Sequence, residues 1–572
     1  MKKALEETLV PSTSTKLDQA VTSPVASGPM LFYALAFLVC ILVSIAPLYR
    51  LVPEPIRLPT NGLLTIWGNW LPTDLHLTAD PHGSHFATNT IFILACWGLA
   101  FVVYVLAAWH IHRQPAQGNY RSITRFIWLV AIMTGCIFII TPALLSHDIF
   151  AYTAYGRILA YYHSNPYFVP FSAFPKDAFT PYDDWKIIPS AYGPIWELIS
   201  GLVVRPIGNH LDRAIIVYRV LAFIPHLLNT LLIALILRKM GQSARTVALG
   251  TLLYAWNPLV LEESCLGGHN DACMMTFVLL GLFYCIHAER RSTLTCPTWK
   301  EYLAPMLAFS LATLVKFSAA PLIALYLILL ARKAFLAQAD NDQHANTPWY
   351  TRIPAVLKTI IPAGAISLVV LIALYEPYWF GFGLKDAIYT FTATPSSTSS
   401  YGSMLFATIK WVQAHDYPPK GSWTYPIVYI FSQHKTWSLI DMAALLFTLV
   451  TGAIWIWRSP TTRTLALSML TMLELILLVT YWFFPWYLTW IVSLAALCVP
   501  AQNRLQRATI ASTLVFSVSS LSYYLYASTL PPFGAWNWSS CAMTLIPPVL
   551  TFIAFMWLPF GREKTVESGS VG

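Results

Sequence analysis

Charge is what this chain lacks. Only 11% of its 572 residues are Asp, Glu, Lys or Arg, against roughly 25% in an ordinary soluble domain, so a soluble globular fold is excluded. The formal charge of +9 suggests nucleic acid, but the cations are scattered over short loops and form no basic stripe with interleaved aromatics, so the chain reads as having no nucleic-acid partner. Nine Cys are present. They show none of the paired spacing of a zinc site or disulfide framework, and Cys40, Cys96, Cys136 and Cys498 lie inside apolar runs as small core residues. A Gly-rich phosphate loop, a zinc-protease pattern and a fixed-period repeat are also missing, and nothing points to a soluble nucleotide site.

Apolar sequence is what remains. Hydrophobic residues make up 56% of the chain, with 22 Trp. Runs of about 17–25 apolar residues, the length that crosses roughly 30 Å of hydrocarbon, recur from residue 31 to residue 560. About fourteen spans are expected, near 31–51, 89–110, 124–144, 214–238, 246–264, 270–288, 302–316, 318–332, 354–376, 437–457, 463–482, 486–501, 507–527 and 540–560. Arg113, Arg121 and Arg125 share one loop. Arg238, Lys239 and Arg245 share another, and the later basic loops follow the same phase, which places them and both termini in the cytoplasm. Segment 191–207 is laid along the interface, because a span there would reverse every basic loop that follows. The 302–316 and 318–332 arms, each below the usual spanning length, read as a re-entrant hairpin.

The resulting fold class is all-α, a polytopic bundle with short helices in a large extracytoplasmic loop. Residues 1–29 form a disordered cytoplasmic tail, 30–560 the membrane domain and 561–572 a second cytoplasmic tail. The outer loops are 146–213 and 377–436.

Ionisable residues gather at the outer ends of spans, where their cost usually marks a site or a pathway. Asp148 opens a stretch in which Ile149, Tyr152, Tyr155, Leu159 and Tyr162 recur at helical spacing, expected as an amphipathic helix on the membrane surface. Ser146 or Asp148 is equally suited to cap that helix. In "WNPLVLEESCLGGHNDACM", Glu262, Glu263, His269, Asn270 and Asp271 surround a Gly-Gly turn. A polar turn capped by Asn270 or Asp271 is the simpler reading, and two ligands are too few to specify a metal. Lys316 in "LATLVKFSAAP" is placed to neutralise a phosphate or to snorkel. Arg157 and Arg219 are further anion-binding candidates or membrane anchors. In "YWFFPWYLTW", Trp482, Trp486 and Tyr487 suit an aromatic belt or a stack on sugar rings. The Asp183–Asp184 pair suits a divalent cation or a solvated turn.

"HDIFAYTAYGRILAYYHSNPY", "YGPIWELI", "WNPLVLEESCLGGHNDACM", "LATLVKFSAAPLIAL" and "FFPWYLTW", in this order over roughly residues 140–500, resemble polyprenol-phosphate-mannose-dependent mannosyltransferases of the GT-C class. The resemblance implies a GT-C bundle that takes a sugar from a polyprenyl-phosphate-linked donor on the extracytoplasmic side and passes it to a glycan or glycolipid acceptor. It implies Asp148 as the base of an inverting displacement. Lys316, His269 and Arg157 would hold the donor phosphate, and Asn270, Asp271, Tyr152, Tyr192, Trp486 and Tyr487 the sugar or acceptor. A monophosphate leaving group does not demand a metal, so no metal and no cofactor are expected. The location implied is a multi-pass protein of the plasma membrane.

Two departures stand against the pattern. Two spans precede the outer loop's own span, where the simplest GT-C plan has one. Neither the Asp-Glu pair of protein O-mannosyltransferases nor the "WWDYG" of oligosaccharyltransferases is present. A transporter or flippase of lipid-linked sugars is the competing class, but such proteins tend to show repeated halves and ionisable groups near the midplane.

Overall fold

A computed structural model describes residues 27–50, 84–115, 118–141, 145–291, 296–341, 348–381, 417–480, 482–527 and 538–559, with scattered positions between 383 and 413. The expected tails, apart from residues 27–29, and nearly half of the loop 377–436 lie outside the described residues. Apart from an isolated bridge between Lys420 and Ser422, regular structure among the described residues is helical. Among the described residues, ten helices are long and apolar enough to cross a membrane. Their outer faces keep apolar side chains at helical spacing, such as Leu439, Met442, Leu446, Phe447 and Val450, the pattern of a lipid-facing stripe.

In chain order the first three helices are α1 (Ser27–Arg50), α2 (Ser84–Arg113) and α3 (Tyr120–Ile139), followed by two short ones, α4 (Asp148–Ala160) and α5 (Pro194–Ile207). Then come α6 (Leu211–Lys239), α7 (Ala244–Ala255) and α8 (Pro258–Leu261), which continues into a π-helical turn at Glu262–Leu266. The second half holds α9 (Asp271–Arg291), α10 (Trp299–Val315), α11 (Ala320–Asn341), α12 (Ile353–Trp379), α13 (Tyr425–Ser432) and α14 (His434–Arg458). It ends with α15 (Thr462–Val479), α16 (Leu488–Leu497), α17 (Arg504–Ser519), α18 (Ser522–Ala527) and α19 (Trp538–Trp557). Local signals start several of them. Asn119, Asn257 and Asn503 each accept a backbone N–H at a helix start, and Thr298 with Glu301 forms a capping box on α10.

The count of fourteen spans is not established by helix length. The expected spans 246–264, 302–316, 486–501 and 507–527 are occupied by α7–α8 with its π turn, α10, α16 and α17–α18, all shorter or broken. At 14 residues, α5 is about 21 Å long, too short to cross, as the interfacial placement requires. Two expectations need correction. The proposed re-entrant hairpin has arms of 17 and 22 residues, because α11 runs on past Arg332 and Lys333, the charges at which hydropathy ends the apolar run. And α4 does not lie on a surface: Asp148 through Ile158 are all buried, packed on α5 and roofed by the loop that joins the two helices.

Two contacts fix the end of the bundle where these short helices sit. The buried guanidinium of Arg219 on α6 donates to the carbonyls of Leu266 (2.7 Å), Phe138 (3.1 Å), Ile139 (3.2 Å) and Thr141. It thereby ties the end of α3 to the π turn and satisfies carbonyls that a helix end leaves open. On the other side, Gly193 N–H donates to the Val315 carbonyl (3.1 Å). A Cβ there would stand 2.0 Å from the Leu314 carbonyl oxygen, so only glycine lets α5 start against the end of α10.

Candidate active site

Asp148, His269, Asp271 and Lys316 converge at this end. Asp148 is the first residue of α4, whose N-cap His147 makes no side-chain cap bond, and Ser146 Oγ accepts the Asp148 backbone N–H at 3.3 Å. The Asp148 carboxylate instead meets Trp185 and Tyr192. Its Oδ1 accepts the Trp185 indole N–H at 3.1 Å and its Oδ2 the Tyr192 hydroxyl at 3.5 Å. The turn after the π segment delivers His269: Gly268 takes φ +68°, a left-handed conformation that a side chain disfavours. His269 Nε2 then lies 4.0 Å from Asp148 Oδ2.

Lys316 occupies the extended residue between α10 and the short turn that opens α11. Its Nζ is 2.8 Å from Asp271 Oδ1, which also accepts the Trp490 indole N–H at 2.6 Å. The ammonium rests over the rings of Tyr487 (4.4 Å) and Trp490 (5.4 Å), an attraction that strengthens as water is excluded. Trp486 stacks on His269 with centroids 4.2 Å apart at 14°, and Phe484 stacks behind Trp486 at 4.4 Å. The ring of Trp185, which holds Asp148, lies 6.0 Å from that of Trp482, so the loop between α4 and α5 and the late aromatic motif form one wall.

Burial raises the Asp148 carboxyl above its ordinary value. The His269 charge, the Trp185 hydrogen bond and Lys316 oppose that rise, while Asp271 adds to it. His269 is raised too. Burial works against its charge, but the hydrogen bond and charge of Glu263, with Asp148 and Asp271, outweigh it. Nearby, burial lifts Asp183 to about 7.

The other candidates fall in three places. Tyr192 touches Asp148, but Tyr152 sits behind it, edge-on at 5.0 Å and against Trp196 at 5.1 Å. Asn270 is fully buried with neither side-chain polar atom hydrogen-bonded to protein, which leaves its amide available to a bound hydroxyl. Arg157 stays apart: it pairs with Asp177 (2.7 Å) and donates to the Gly208 carbonyl (2.8 Å) and Asn209 Oδ1 (3.0 Å), which brace the loop. Arg219 likewise spends its donors on carbonyls. Asp184 pairs with His147 at 2.8 Å and Asp183 accepts the Trp185 N–H at 2.9 Å. Among the described residues, no group of three or more His, Cys, Asp or Glu is arranged to hold a metal ion.

Trp185, Trp490 and Tyr524 are the site residues that sequence reasoning misses. Trp185 stands beside the Asp183–Asp184 pair and Trp490 closes the last aromatic motif. Tyr524, whose hydroxyl donates to Glu263 Oε1 at 2.6 Å, carries no local signal.

The described residues thus form a helical bundle of an integral membrane protein, with ionisable and aromatic side chains gathered at one end. Residues 62–332 match the family model described as "Alpha-(1->6)-mannopyranosyltransferase, N-terminal domain". That segment contains every motif of the resemblance except "FFPWYLTW". The match covers just under half of the chain and agrees with the resemblance in pointing to a mannosyltransferase family. The chain is also similar to the crystal structure of the Archaeoglobus fulgidus oligosaccharyltransferase in the apo form, at 15% identity and a TM-score of 0.33, over 78% of this chain and 57% of that one. The chain thus spans little more than half the length of that protein. No curated protein matches the sequence.

Proposed function

We propose that the protein moves mannose from a polyprenyl-phosphate carrier to a glycan or glycolipid acceptor on the extracytoplasmic side of the plasma membrane, forming an α-(1→6) bond. The observation that carries this reading is the Asp148 carboxylate set beside His269 in a cleft that also holds Lys316. In an inverting step Asp148 takes the proton of the acceptor hydroxyl as that oxygen bonds to the anomeric carbon, and the carbon–oxygen bond to the carrier phosphate breaks. An α product made with inversion requires a β-linked donor. Lys316, anchored by Asp271, meets the negative charge that grows on the phosphate, and His269 supplies a second cation. With two cations at hand, no metal is assigned to the step. Asn270, Tyr192, Trp486 and Tyr487 line the place for the sugar or acceptor, and Tyr152 supports Tyr192 from behind.

The test is transfer of radiolabelled mannose from polyprenyl-phosphate-mannose in membranes that contain the protein, with and without EDTA. EDTA-resistant incorporation into a glycan or glycolipid supports the reading. Loss of transfer in EDTA would move the phosphate to a metal, and absence of transfer with this donor but activity with another carrier-linked sugar would overturn mannose.

A further inference from the structure

Glu263 belongs to the π turn, and both its carboxylate and its backbone carbonyl meet His269. His269 Nδ1 is 3.1 Å from Glu263 Oε2 and 3.1 Å from the Glu263 carbonyl oxygen. Tyr524 fixes the other carboxylate oxygen. His269 Nε2 is buried and makes no hydrogen bond to protein, and it faces the Asp148 carboxylate. The ring is clamped on its face by Trp486, an arrangement that favours an imidazolium. The charged groups facing His269 are therefore Glu263 from the π turn, Asp148 from α4 and Asp271 from α9, with Lys316 reaching it only through Asp271.

We propose, building on the transferase reading above, that Glu263 is a positioning residue that holds His269 as an imidazolium with Nε2–H turned into the cleft, so that His269 protonates the departing carrier phosphate. The step balances within the site. The acceptor O–H proton goes to Asp148 as the new glycosidic bond forms. The anomeric carbon–oxygen bond breaks, and the phosphate oxygen keeps that electron pair and takes the Nε2 proton. Neutral His269 then recovers a proton from Asp148 across the short gap between them. One proton has passed from acceptor to phosphate, and both residues return to their starting states. Histidine with a carboxylate on its far nitrogen is the arrangement that fixes tautomer and ring orientation.

The experiment measures His269 directly in the intact, detergent-solubilised protein, by hydrogen–deuterium exchange at its ring C2 position across pH, read by mass spectrometry. The expected wild-type midpoint is above the ordinary histidine value, and Glu263→Gln lowers it by about one pH unit or more. Glu263→Asp, which keeps the charge but withdraws it, lowers the midpoint by less and serves where the Gln variant fails to fold. In transfer assays the alkaline limb of the rate moves down by the same amount in each variant, whereas a merely structural role lowers the rate equally at every pH. An unchanged midpoint in both variants, or an unshifted alkaline limb, overturns the relay. Absence of transfer by the wild type at every pH overturns the parent reading, and the exchange midpoints still decide whether Glu263 charges His269.

Discussion

Trp185 donates its indole N–H to Asp148 Oδ1 at 3.1 Å, so a residue of the loop between α4 and α5 touches the carboxylate proposed above as the base. The bond favours the ionised carboxylate, whose proton affinity burial otherwise raises. A base with a raised value loses its ionised form as pH falls through that value, so the acid limb of the rate lies above the ordinary aspartate value. Trp185→Phe removes a bond worth about 1.5 kcal/mol and moves that limb upward by about one pH unit. A pH–rate profile checks it: activity well below the wild-type midpoint falls about tenfold, and activity above the new limb is unchanged.

Lys316 and Asp271 are a nearly buried pair, and breaking such a pair by removing one partner costs about 3–5 kcal/mol. Lys316→Met is expected to lower the unfolding midpoint in detergent and to abolish transfer. Adding Asp271→Asn recovers part of the stability and none of the activity. A double variant no more stable than Lys316→Met contradicts the pairing.

Arg219 is a strut of this end of the bundle. Its loss leaves several buried carbonyls open at about 1–3 kcal/mol each, so Arg219→Ala is expected to be recovered in reduced amount and with a lowered melting temperature. Arg219→Lys does not rescue it, since an ammonium cannot match the guanidinium fork. Wild-type stability in Arg219→Lys would remove the strut from the account.

The way these residues read in sequence has a physical reason. Asp148, His269, Asp271 and Lys316 are legible because each is an ionisable group at the end of an apolar run, where charge is costly. Arg157 misleads because its partner Asp177 sits in an irregular loop, and Arg219 misleads because carbonyl partners leave no mark on side-chain pattern. Tyr524 and Trp490 reach Glu263 and Asp271 across 261 and 219 residues, a separation that no local spacing encodes. The helical pitch of α4 is visible in its apolar spacing, but its burial depends on α5 and a roof that folds back over it. The length of α11 is hidden because Arg332 and Lys333 interrupt hydropathy without interrupting the helix.

Asp148→Asn isolates the proposed base, because amide and acid are nearly isosteric: the Trp185 indole N–H can still donate to the amide oxygen at the Oδ1 position, and the Tyr192 hydroxyl can accept from the amide NH2. The measurement is mannose transfer from polyprenyl-phosphate-mannose by wild type and variant at equal amounts of folded protein. The expected result is a loss of about 10²–10⁴-fold with an unchanged melting temperature. Transfer at the wild-type rate by Asp148→Asn would contradict it.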